Sequence, residues 1–104
     1  MKALFVCNQN QHRSPTAEAL FKSDFETKSA GLYNGTLLTS SLLEWADLVV
    51  AMDDEQRREI GKRFPKEYLK KKIISLNIPD TFAYNQPELK AILKEKMSEH
   101  LQIH

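Results

Sequence analysis

The chain has one cysteine, Cys7, so it has no partner for an intramolecular disulfide. The cross-linked framework of small secreted folds is excluded, and the cytoplasm is the expected compartment. A metal site is equally poorly supplied. Cys7 and His12 stand alone as ligands, and the other two histidines, His100 and His104, lie in the tail. No apolar stretch approaches the roughly 20 residues that a membrane span needs. The start, Met1-Lys2 followed at once by a short apolar run, lacks the longer apolar region and cleavage site of a signal peptide. Neither sign of charge dominates: fifteen basic residues against fourteen acidic ones give +1. That balance makes no case for a nucleic-acid or membrane partner. Lys70-Lys71-Lys72 and Arg57-Arg58 read as solvated faces, and no repeat, linker or low-complexity segment breaks the chain.

The 41% apolar and 28% charged content is that of a globular protein. With 104 residues there is enough chain for one core and too little for two. One domain spanning 1–104 is therefore expected, and a monomer, since no additional apolar face stands out. Short apolar runs alternate with amphipathic segments. Ala3–Val6, Asp47–Met52 and Lys72–Leu76 read as strands buried on both faces, with Glu26–Ser29 a weaker candidate stopped by Gly31. Ser14-Pro15 reads as a helix cap followed by proline at the first helical position, ahead of a stripe of Ala17, Leu20, Phe21 and Phe25. Ser41 with Glu44, and Asp53 with Gln56, resemble capping boxes. Pro87 opens a last helix with the stripe Leu89, Ile92, Leu93, Met97 and Leu101. The order β-α-β-α-β-α-β-α predicts an α/β fold. It is a three-layer α/β/α sandwich with a four-stranded parallel sheet and right-handed crossovers.

The segment Val6-Cys7-Asn8-Gln9-Asn10-Gln11-His12-Arg13-Ser14-Pro15 carries the chemistry. It joins the first strand to the first helix, where inward-turned backbone N–H groups and the positive helix end make an anion nest. Asn8, Gln9, Asn10, Gln11 and His12 would wrap a phosphate with Arg13 and Ser14, the guanidinium gripping two oxygens at once. Cys7, in this positive surround, is favoured as a thiolate and can attack phosphorus in line. The leaving oxygen then needs a proton. Asp80 follows the last strand and so shares the ligand-binding edge of the sheet; it is the candidate acid. The same carboxylate would then serve as base when water hydrolyses the phosphocysteine.

These residues resemble the low-molecular-weight protein tyrosine phosphatases. The likeness runs through Leu4-Phe5-Val6-Cys7, Asn10, Arg13-Ser14-Pro15-Thr16-Ala17-Glu18, Ser29-Ala30-Gly31 and Asp47-Leu48-Val49-Val50-Ala51-Met52-Asp53. The length and the segment Ile78-Pro79-Asp80 to Gln86-Pro87-Glu88-Leu89 look most like a short prokaryotic branch of that family. The resemblance implies a cysteine-dependent, metal-independent phosphatase with no cofactor, acting on a phosphorylated protein or a small aryl phosphate. In it Cys7 is the nucleophile, Arg13 the phosphate ligand, Asp80 the general acid and base, Ser14 the hydroxyl on the thiolate and Asn10 the brace of the loop. The chain departs from the family at Gln9, where glycine is usual, at His12, where a second cysteine is frequent, and at Asp80-Thr81-Phe82, where Asp-Pro-Tyr is usual. Its shortness leaves the substrate wall to Tyr33, Phe82 or Tyr84. A phosphate- or phosphopeptide-binding module without turnover is the alternative. Less favoured are an arsenate reductase, which would have to borrow an external thiol, and a sugar-type phosphocarrier.

Overall fold

The computed structural model describes residues 1–101; His104 lies outside the described residues. Four strands form one sheet: β1 (Lys2–Cys7), β2 (Glu26–Gly31), β3 (Leu48–Ala51) and β4 (Lys72–Ser75). Their order is β2-β1-β3-β4 and every pairing is parallel. Phe5 pairs with Ser29 on one side and Val50 on the other. The central strands are apolar on both sides because both faces are covered. Ala3, Phe5, Leu48 and Val50 point into a core closed by Ala17 of the first helix and by Leu89, Leu93 and Met97 of the last. Leu4, Val6, Val49 and Ala51 point into a second core with Leu43, Ala46 and Ile60. The three-layer α/β/α sandwich expected from the sequence is the architecture observed.

The helices are α1 (Arg13–Leu20), α2 (Ser40–Trp45), α3 (Asp54–Arg63), α4 (Pro65–Lys70) and α5 (Pro87–Leu101). Four details differ from the sequence reading. β2 runs on to Gly31, because its last residues pair with Val6 and Cys7. A single helix after Asp53 becomes two, divided at Phe64-Pro65. The residue before proline is pushed out of helical geometry, and Phe64 sits at φ −131°, ψ 62°. α2 is capped by Thr39, whose hydroxyl accepts from Leu42 N, and not by Ser41. Finally, α1 ends at Leu20. Phe21 and Phe25 lie beyond the helix and continue its apolar surface by ring packing, Phe21 stacking on Phe5 at 5.7 Å between centroids.

Candidate active site

β1 delivers Cys7 to the carboxyl edge of the sheet, and α1 starts six residues later at Arg13. The expected Ser14 cap is not formed: α1 has no side-chain cap. The hydroxyl is engaged elsewhere, with Ser14 Oγ 2.9 Å from Cys7 Sγ. The Asn10 backbone N–H also points at the sulfur, 3.2 Å away. A hydroxyl and a backbone N–H thus converge on the buried sulfur.

The direction of the hydroxyl proton follows from its neighbours. Glu18, a carboxylate acceptor, takes the Ser29 hydroxyl proton at 2.5 Å. Ser29 Oγ is then free to accept from Asn10 Nδ2 at 3.0 Å, and the same amide donates to Ser14 Oγ at 3.1 Å. Ser14, already accepting, turns its own proton to Cys7. The competing acceptor, Ala30 O, lies at 3.5 Å. Asn10 is held by its third bond, from Thr36 N to Oδ1 at 3.1 Å, and adopts φ 54°. Asparagine tolerates that left-handed conformation better than most residues.

Arg13 is 2% exposed, a buried cation that needs partners. Nη1 donates to Ile78 O at 2.8 Å and to Asp53 Oδ2 at 3.3 Å. The Ile78 carbonyl is in reach because the chain after β4 continues along β3, with Leu76 N on Ala51 O and Ile78 N on Met52 O. Nε stands 3.6 Å from Asp80 Oδ1, an ion-pair distance too long for a hydrogen bond. Among the described residues, Nε is the buried side-chain nitrogen or oxygen left without a hydrogen bond. Asp80, half exposed, therefore faces the guanidinium, with its carboxylate open to solvent.

The rest of the loop is tied outward. Asn8 Oδ1 accepts from Gln56 Nε2 at 3.3 Å, and Gln9 Oε1 accepts from Asn34 Nδ2. Gln9 is thus accommodated at the rim without a positive φ. His12 Nδ1 accepts from Tyr84 N at 3.1 Å, and its carbonyl takes the Thr16 hydroxyl at 2.6 Å. Gln11 is exposed. Tyr33 and Tyr84 are exposed, while Phe82 is partly buried against the first core. The Tyr33 ring lies beneath Arg63 at 4.9 Å.

The structure thus brings Cys7, Asn10, Arg13, Ser14 and Asp80 together. Sequence reasoning gave no site role to four partners. Glu18 and Ser29 complete the hydrogen-bond chain, Asp53 grips Arg13, and buried Gln56 holds Asn8. The capping box of Asp53 and Gln56 was legible and is formed. Its second use, Asp53 Oδ2 turned to Arg13 while Oδ1 accepts from Gln56 N, depends on a contact forty residues away in sequence.

No model of a known protein family matches the chain. A protein from Bacillus subtilis (strain 168) named protein-arginine-phosphatase is 35% identical, over 62% of this chain and 63% of that protein. The match thus spans a little under two thirds of that relative's length. The YwlE arginine phosphatase from Geobacillus stearothermophilus superposes with a TM-score of 0.77 at 26% identity, covering 97% of this chain and 92% of that one. A low molecular weight protein tyrosine phosphatase from Bacillus subtilis gives a TM-score of 0.78 at 26% identity, over 98% and 97% of the two chains. With its β2-β1-β3-β4 sheet and its Cys7-to-Arg13 loop, the chain is similar in fold to the low-molecular-weight protein tyrosine phosphatases.

Proposed function

We propose that this chain is a cysteine-dependent phosphatase, metal-independent and without a cofactor, acting on phosphorylated protein through a phosphocysteine intermediate on Cys7. The observation that carries the proposal is the buried sulfur at the floor of the loop, facing the Ser14 hydroxyl and the Asn10 N–H, beside a clamped Arg13 with an unpaired Nε. That donor set matches the needs of a loose transition state whose charge spreads over the equatorial oxygens. Arg13 and the loop N–H groups of residues 8–14 hold the oxyanion while Cys7 attacks phosphorus. The S–P bond forms as the bond to the leaving group breaks, and the Asp80 carboxyl protonates that group. Water deprotonated by Asp80 then cleaves S–P, releasing phosphate and the thiolate, which Ser14 stabilises as the departing group.

A narrow loop with its nucleophile at the floor suits phosphotyrosine, whose aryl group carries phosphorus far from the peptide backbone. The name of the 35% identical relative favours phosphoarginine as a second substrate, with a P–N bond in place of P–O. No helix among the described residues is long and apolar enough to cross a membrane. We take the protein to act as a monomer in the cytoplasm.

Purified protein should hydrolyse 4-nitrophenyl phosphate without added metal, and Cys7→Ser should abolish the activity. Turnover that survives the substitution would sink the proposal, and tight phosphate binding without turnover of any ester would favour the binding module. The ratio of kcat/KM on phosphotyrosine and phosphoarginine peptides then decides between the two substrates.

A further inference from the structure

The segment that carries Asp80 is pinned at both ends. Upstream, Ile78 donates its N–H to Met52 O at 2.8 Å and offers its carbonyl to Arg13 at the same distance. Downstream, two adjacent backbone N–H groups dock on the start of α1: Tyr84 N on His12 Nδ1 at 3.1 Å, and Asn85 N on Thr16 Oγ1 at 2.8 Å. The two anchors are coupled, since the Thr16 hydroxyl donates to the His12 carbonyl at 2.6 Å and so presents its lone pair to Asn85. Asn85 itself is held at φ 61°. The turn behind it is closed by Gln86, whose Oε1 accepts from Ala83 N at 2.9 Å.

From this we infer that His12 is a positioning residue for the acid: its Nδ1 lone pair anchors the Asp80 segment against the phosphate loop. A backbone N–H donates to Nδ1, so the ring that makes this bond is neutral with its proton on Nε2. One side chain in the phosphate loop thereby sets where the carboxylate stands, four residues before the bond it holds. The inference rests on the phosphatase reading for its kinetic consequence and on geometry alone for the anchor.

The consequence is selective. A loosened segment misplaces the proton donor, which matters most when the leaving group is basic. His12→Ala should lower kcat/KM for phenyl phosphate by about tenfold, a part of what general acid catalysis supplies, and lower it less for 4-nitrophenyl phosphate. His12→Asn, whose Oδ1 can take the place of Nδ1, should restore most of the loss. In an Asp80→Asn background, His12→Ala should add little, because both changes act through one carboxylate. Backbone amide exchange supplies a readout that needs no activity: Tyr84 should exchange faster in His12→Ala and return to its original rate in His12→Asn. Equal losses on the two esters, or an asparagine variant as impaired as the alanine one, would overturn the assignment, as would unaltered exchange at Tyr84. An inactive parent protein, by contrast, would count against the phosphatase reading and leave the exchange comparison to decide the anchor.

Discussion

Cys7 and Arg13 were legible because they share one loop, and a loop between strand and helix is a local pattern. What holds them in place comes from elsewhere in the chain. Asn10 shows this best, since its side chain joins Ser14, Ser29 and the Thr36 N–H, residues from α1, β2 and the loop beyond. Its contacts with Ser29 and Thr36 have no signature in the one-dimensional text, whereas its placement three residues after the cysteine does. Asn10→Ala removes all three bonds and leaves a φ of 54° that alanine adopts only with strain. The stability loss should be about 1–3 kcal/mol, read from the urea midpoint. Because Ser14 loses the donor that orients its hydroxyl, kcat/KM should fall by roughly 10²-fold, the scale expected for a misplaced reacting group. Retention of both would mean that the loop holds its shape through its backbone alone.

Among the elements, the strands were readable because both faces of β1, β3 and β4 are covered, which leaves continuous apolar runs. β2 was harder. It is an edge strand with the burial pattern of a half-exposed ribbon, and its last two residues become strand only by pairing with β1. The connection after it builds the cradle for Asn10. Gly31 N donates to Thr36 O at 2.8 Å, closing a tight loop that holds Gly35 at φ +72°. A Cβ on Gly35 would stand 2.7 Å from Asn10 Cβ and 2.9 Å from its Oδ1. Glycine is therefore required here twice, for its backbone angle and for the space it leaves. Gly35→Ala should destabilise by more than about 1 kcal/mol, the level at which alanine at positive φ acts, visible as a lower Tm. It should also reduce kcat/KM, although Gly35 belongs to none of the residues around the sulfur. A variant with normal Tm and normal turnover would show that the cradle yields easily.

At the scale of the molecule, the parallel sheet gathers the ends of β1, β3 and β4 on one edge, and that edge concentrates charge around a buried guanidinium. The fold places Asp53 after β3 and Asp80 after β4 on the same cation, which is why a sequence nearly neutral overall holds a strongly polarised site. An oxyanion entering the loop would meet the buried Arg13 guanidinium in the folded state, and no such preformed site in the unfolded chain. Binding must then stabilise the whole domain, by about 2.7 kcal/mol at a hundred times the dissociation constant. For a domain of this size that corresponds to a rise in Tm on the order of 10 °C. Phosphate or vanadate should produce such a rise in the parent protein, and phosphate should do so in Cys7→Ser, which keeps the clamp. Arg13→Lys should shrink it sharply, because a point charge cannot replace a fork held by Ile78 O and Asp53. Equal rises in all three proteins would place the anion somewhere other than the loop between β1 and α1.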